Sequence, residues 1–182
     1  VETLRRKGTG PEWEAWTSQG SRESGSWEEL FGLHGGEFCT AWSVAGYIDF
    51  IAAAGKAVYD LPLYANVWLG FPGWPIPGFY PSGGAVWRTL DIWKCAAPHL
   101  DLLAPDIYSV NFSDFKQICA QYARPDNPLF VPESGADGIN ARNMLRAIAD
   151  YNAIGYFIFG VDSVLDMQGG VRESAGLFVE SF

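Results

Sequence analysis

The residues able to do chemistry in this chain fall at the ends of apolar runs. Asn66 and Trp68 close the run Leu61–Leu69, Asp106 and Tyr108 close Leu100–Tyr108, Glu133 closes Pro128–Glu133, and Asp162 closes Gly155–Asp162. Glu133 is the sharpest of these. It follows Leu129-Phe130-Val131-Pro132 and precedes Ser134-Gly135, a place where glutamate brings neither strand propensity nor packing. A carboxylate there either acts on a ligand, as nucleophile, acid or base, or marks a strand's exit to solvent. Between Gly70 and Ser82 the chain adds Phe71, Trp74, Phe79 and Tyr80 on a proline-stiffened backbone. Such rings suit the apolar faces of sugars, and equally a loop that packs its own aromatics. No glycine-rich phosphate cradle and no Gly-x-Ser-x-Gly elbow is present, so nucleotide and serine-hydrolase chemistry have no motif to rest on.

Those positions require elements that present strand ends side by side. Apolar runs starting near residues 61, 101, 128 and 155 alternate with helical patterns over Glu37–Gly55, Gly84–Ala97, Phe112–Tyr122 and Ile139–Asn152, and Glu173–Phe182 begins a last helix. In the first helix Phe38, Ala41, Trp42, Ala45, Ile48, Ile51 and Ala52 share one face. Near-continuous apolar strands between amphipathic helices predict an α/β fold of parallel βα units. In such folds chemistry gathers at the carboxyl ends of strands. Residues 1–36 are polar and Gly/Ser-rich. They read as an irregular surface excursion with one short helix at Trp27–Phe31, and residues 37–182 as the βα domain.

Composition narrows the function classes. The 182 residues carry 12 Lys+Arg against 21 Asp+Glu, a net charge of −9, with 12 Phe, 8 Tyr and 8 Trp. That balance opposes nucleic-acid binding, and the aromatic content opposes disorder. No uninterrupted apolar run reaches the length of a membrane span. Cys39, Cys95 and Cys119 are odd in number, widely spaced and set in helical patterns, which predicts buried thiols rather than disulfides and favours a reducing, cytoplasmic interior. His34 and His99 lack ligand spacing, so neither a metal nor a cofactor is expected. Val1-Glu2-Thr3-Leu4-Arg5-Arg6 reads as a cut or processed start, with no signal core.

Taken together, Ala53-Ala54-Gly55-Lys56, Leu61–Trp68, Tyr80–Gly84, Leu103–Tyr108, Tyr122–Pro125 and Asn127–Glu133 resemble bacterial β-galactosidase-like glycoside hydrolases (family 35 and its clan relatives). The resemblance covers roughly Trp27 to Asp162. It implies a retaining glycosidase on a (β/α)8 barrel, acting on terminal β-galactosides or related β-glycosides. It also implies an acid/base Glu at the end of barrel strand 4, after an Asn, and a nucleophile at the end of strand 7. Glu133 matches the nucleophile, Tyr108 matches the tyrosine that bonds it, and Asn66, Trp68, Tyr80, Asp106 and Asp162 belong to the sugar-binding mouth. The four strands then correspond to strands 5 to 8. No Asn-Glu pair occurs upstream, so the acid/base is missing from this reading.

A length of 182 residues falls short of the roughly 250 of a full barrel. The expected architecture is therefore about half a barrel, completed by self-association. The edges of 61–69 and 155–162 favour a two-fold dimer, which turns Asp162 of one chain toward Glu133 of the other. The alternative is a catalytically silent half-barrel scaffold or sugar-binding fragment.

Overall fold

The fold comes from a computed structural model that describes residues 2–69, 76–78, 80 and 82–180. Most of the aromatic loop expected after the first strand lies outside the described residues. The chain divides into two compact units, Val1–Asp101 and Leu102–Phe182.

The first unit holds α1 (Glu2–Lys7), α2 (Pro11–Ser18), α3 (Trp27–Phe31), α4 (Gly35–Val58), β1 (Tyr64–Val67) and α5 (Leu90–Ala96). Pro11 opens α2 directly after Gly10, whose φ of 104° ends the preceding turn. A capping box starts α3: the Glu29 amide donates to Ser26 Oγ at 3.2 Å, and the Ser26 amide donates to Glu29 Oε2 at 2.7 Å. That reciprocal bond holds the Glu29 carboxyl below its ordinary range.

Ala15, Trp16, Phe31 and Phe38 form a buried cluster, with Leu4, Trp13, Trp27, Leu30 and Ile92 packed around it. Residues 1–36, expected to be irregular, thus add two further helices and contribute to a core. The two compact units divide after Asp101. α3 meets α4 so closely that a Cβ on Gly35 would stand 2.6 Å from the Trp27 carbonyl, which only glycine permits.

Within α4, Phe38, Ala41, Ala45 and Ala52 are buried, while Trp42 and Ile51 from the same expected face are exposed. The helical stretch Trp27–Val58 is long and apolar enough, by length and composition alone, to cross a membrane, which the sequence reading did not anticipate. Three of its charged residues are engaged inside the unit. Glu37 is paired with Tyr80 and Arg88, Asp49 accepts the His99 amide at 2.8 Å, and Lys56 donates to Asp101 at 2.7 Å. The Lys56 bond, with the Leu63 amide, holds the Asp101 carboxyl below its usual range.

The second unit is α/β with parallel pairing. Its elements are β2 (Leu102–Ile107), α6 (Phe112–Tyr122), β3 (Phe130–Val131), β4 (Glu133–Ser134), α7 (Gly138–Tyr151), β5 (Gly155–Tyr156) and α8 (Gly176–Glu180). β2 pairs with β4 in parallel, Asp106 beside Glu133 and Ile107 beside Ser134. β3 pairs with β5 in parallel, Phe130 beside Gly155 and Val131 beside Tyr156.

The expected single strand Pro128–Glu133 is thus divided at Pro132, which has no N–H to give to a ladder. The expected strand 155–162 is shorter too. Phe157 and Phe159 still donate to the carbonyls of Val131 and Ser134, at 2.8 and 2.9 Å. Gly160 then turns left-handed at φ 64°, and residues Val161–Val164 form a 3-10 turn.

Asn111 and Asp137 cap α6 and α7, each accepting two backbone amides. Between the helices and the strands lie Leu103, Ile107, Phe115, Tyr122, Val131 and Ala147, all wholly buried. Asn127 anchors the lower end of this layer. Its side chain accepts the Leu103 amide at 2.9 Å and donates to the carbonyls of Leu103 and Tyr122, at 3.0 and 3.1 Å.

Candidate functional site

Strand alternation decides which side chains share the open face of the second unit. In β2, Leu103, Pro105 and Ile107 turn to the helices, so Ala104 and Asp106 turn away from them, and Tyr108 follows in the same sense. Ser134 is buried beside Ile107, so Glu133 stands on the open face beside Asp106.

There the Tyr108 hydroxyl donates to Glu133 Oε1 at 2.7 Å. Partial burial pushes the Tyr108 phenol well above its ordinary range. Its bond to Glu133, the Glu133 charge and the Asp106 charge push it further. Tyr108 is therefore a neutral donor throughout the physiological range, and Glu133 is its acceptor. At 48% exposure the tyrosine leaves the carboxylate open to a ligand.

Three neighbours hold this geometry. Ser134 Oγ donates to the Phe157 carbonyl at 3.0 Å, fixing the strand end that carries Glu133. Asn143 of α7 donates to the Ser109 carbonyl at 3.2 Å, fixing the exit that carries Tyr108. At Gly135 a Cβ would stand 2.7 Å from the Asn140 side-chain amide, so the turn after Glu133 is packed tightly against α7. Beyond β5, Phe157 and Phe159 are 56% and 67% exposed, and Phe157 meets the Phe130 ring edge-on at 5.5 Å. A carboxylate that accepts a neutral hydroxyl and stands beside a second carboxyl can act chemically as a nucleophile or a base.

Of the residues singled out in the sequence, this unit brings together Glu133, Tyr108 and Asp106. Asp162 lies elsewhere, exposed on the 3-10 turn past Gly160 instead of closing a strand. Asn66 and Trp68 belong to the first unit, Asn66 exposed within β1 and Trp68 exposed just after it.

Tyr80 departs from the sugar-mouth expectation. It is only 6% exposed, its hydroxyl donates to Glu37 Oε1 at 2.5 Å, and the Arg88 guanidinium contacts both groups. Burial, and then the bond to Glu37, push its phenol up to about 12. Tyr80 serves the interior of its unit. Glu37, a carboxylate in the first turn of a helix with Phe38 and Ala41 beside it, was the signal for this network.

Of the three thiols Cys119 is buried as expected, Cys39 is half-buried and Cys95 is exposed. Among the described residues, no group of three or more His, Cys, Asp or Glu is placed to hold a metal. Comparison with family models and with curated proteins finds no match to the chain.

Proposed function

We propose that the chain is a glycoside hydrolase-like protein that hydrolyses terminal β-galactosides or related β-glycosides with retention, Glu133 being the nucleophile. The observation that carries this reading is the hydrogen bond of Tyr108 to Glu133 at the carboxyl ends of adjacent parallel strands. It holds one carboxylate oxygen and leaves the other for attack on an anomeric carbon. The parallel direction of both strand pairs, β2 with β4 and β3 with β5, is compatible with βα units of a barrel. The exposed Phe157 and Phe159 fit the apolar face of a sugar ring, and the net charge of −9 fits a neutral carbohydrate rather than a nucleic acid as partner. The chemistry assigned to Glu133 draws on no cofactor.

A second reading has its own support. Phe157, Phe159 and Val161 near β5, and Tyr47 and Phe50 on α4, are large exposed apolar residues, which suits a self-associating, catalytically silent half-barrel. One experiment separates the two. Nitrophenyl β-galactoside is incubated with the wild-type chain and with Glu133→Gln while the chain's mass is followed by sedimentation. Turnover abolished by the substitution supports the glycosidase. Equal background in both, from a chain that sediments as a dimer, supports the scaffold.

A further inference from the structure

We infer that α4 is a dimerisation helix, pairing antiparallel with α4 of a second copy of this chain about a two-fold axis near Ile51. α4 is 24 residues long, which makes it about 36 Å from end to end. Val44, Ile51 and Val58 recur every seven residues along it, and Tyr47 and Ala54 fall between them at the same interval. That spacing draws one apolar stripe along the helix. All five residues are exposed, and the exposed Phe50 flanks them. No charged side chain stands on the stripe. The three that α4 carries, Glu37, Asp49 and Lys56, turn elsewhere, to Tyr80, His99 and Asp101.

The exposed surface is large enough for a stable pair. Tyr47, Phe50 and Val58 are 65%, 73% and 87% exposed. With Val44, Ile51 and the small residues between them they offer roughly 700 Å² per copy, close to the about 800 Å² that each partner gives to a standard interface. The stripe is also complementary to itself. An antiparallel two-fold at Ile51 sets Ile51 against its own copy, Val44 against Val58 and the large Tyr47 against the small Ala54. It also brings opposite helix ends together, which suits their dipoles.

Other occupants fit this face less well. A helix that lies in a lipid interface carries lysines and arginines beside its apolar face. The single cation of α4, Lys56, is instead bonded to Asp101 at 2.7 Å, and the chain has a net charge of −9. The strand edges expected to pair are short. β1 has four residues and β5 two, which leaves little ladder for a second copy to extend. The pairing of α4 is independent of Glu133 and of both functional readings above.

The test is sedimentation of the whole chain, wild type against Tyr47→Glu/Ile51→Glu. Wild type is expected to be a dimer. The double variant is expected to be a monomer with an unchanged circular dichroism spectrum. Its dissociation constant rises at least about 100-fold, because like charges then face each other across the pair. Single cysteines in a Cys39→Ser/Cys95→Ser background read the direction of pairing. Ile51→Cys is expected to form a disulfide-linked dimer on mild oxidation. Tyr47→Cys alone is not, since its two copies lie about 12 Å apart along the axis, out of disulfide reach. Mixed with Ala54→Cys, it is expected to cross-link. A wild-type monomer at every concentration, a dimer that survives the double substitution, or a chain that sediments with phosphatidylcholine vesicles instead of with itself overturns the inference. Cross-linking of Tyr47→Cys to itself as readily as Ile51→Cys overturns the antiparallel pairing.

Discussion

Two tyrosines with similar sequence surroundings reach opposite fates. Tyr108 stands on an open sheet face and lends its hydroxyl to Glu133, whereas Tyr80 is buried and lends its hydroxyl to Glu37. The difference is one of neighbours. Glu133 closes a strand beside β2, and Glu37 opens a helix whose interior side also carries Phe38 and Ala41. Glu133 stood out as a candidate in the sequence because a carboxylate ending an apolar run brings neither strand propensity nor packing. Tyr108 was picked out by its place at a strand end, but its pairing with Glu133 only by the family resemblance, because a tyrosine at a strand end has many uses. Replacing Tyr108 by Phe removes a hydrogen bond to a charged acceptor, an interaction of about 1.5–3 kcal/mol. On the proposed glycosidase function, the expected result is a fall of about 10- to 100-fold in kcat/KM on nitrophenyl β-galactoside, with the circular dichroism spectrum unchanged.

At the scale of elements, periodicity located the helices well and the strands less well. Helix α6 spans Phe112–Tyr122, as expected, because Asn111 supplies a side-chain cap and the apolar spacing is clear. The strand ending in Glu133 is split at Pro132, and the one beginning at Gly155 is cut short by the left-handed Gly160. Both outcomes follow from backbone chemistry that an apolar run does not encode. The helices of residues 2–18 were missed because their burial depends on Phe38, which is distant in sequence. Asn127 also gave no clear signal, yet it bridges Leu103 and Tyr122 with three buried hydrogen bonds. Asn127→Ala leaves those backbone groups unpaired and is expected to lower stability by about 2–4 kcal/mol, measured by urea unfolding. An unchanged midpoint would show that water takes over those bonds.

Across the whole chain, buried phenols tie stability to alkaline pH. Tyr80 and Tyr156 are pushed up to about 12, mainly by burial, and Tyr108 and Tyr122 are also pushed up. An unfolded tyrosine titrates near about 10. Between these values the folded chain holds more protons than the unfolded one, so stability falls with rising pH. The contribution is complete below about pH 10 and is lost as pH climbs through about 12. Urea midpoints are expected to hold steady up to about pH 9 and to drop by about pH 11, with a smaller drop in Tyr80→Phe. A midpoint insensitive to pH over that range would show that these phenols ionise without unfolding the chain.

The sequence by itself determined the α/β class with parallel strands and the helices that frame them, and it singled out Glu133 as a candidate for chemistry. These follow from local pattern and from a charge placed where packing has no use for it. Only the tertiary structure decided that Asp106, Tyr108 and Glu133 share one face, that Tyr80 is interior, and that residues 1–36 help build a core. Register between strands and burial between distant segments depend on pairings that form across the chain, and no local pattern specifies them.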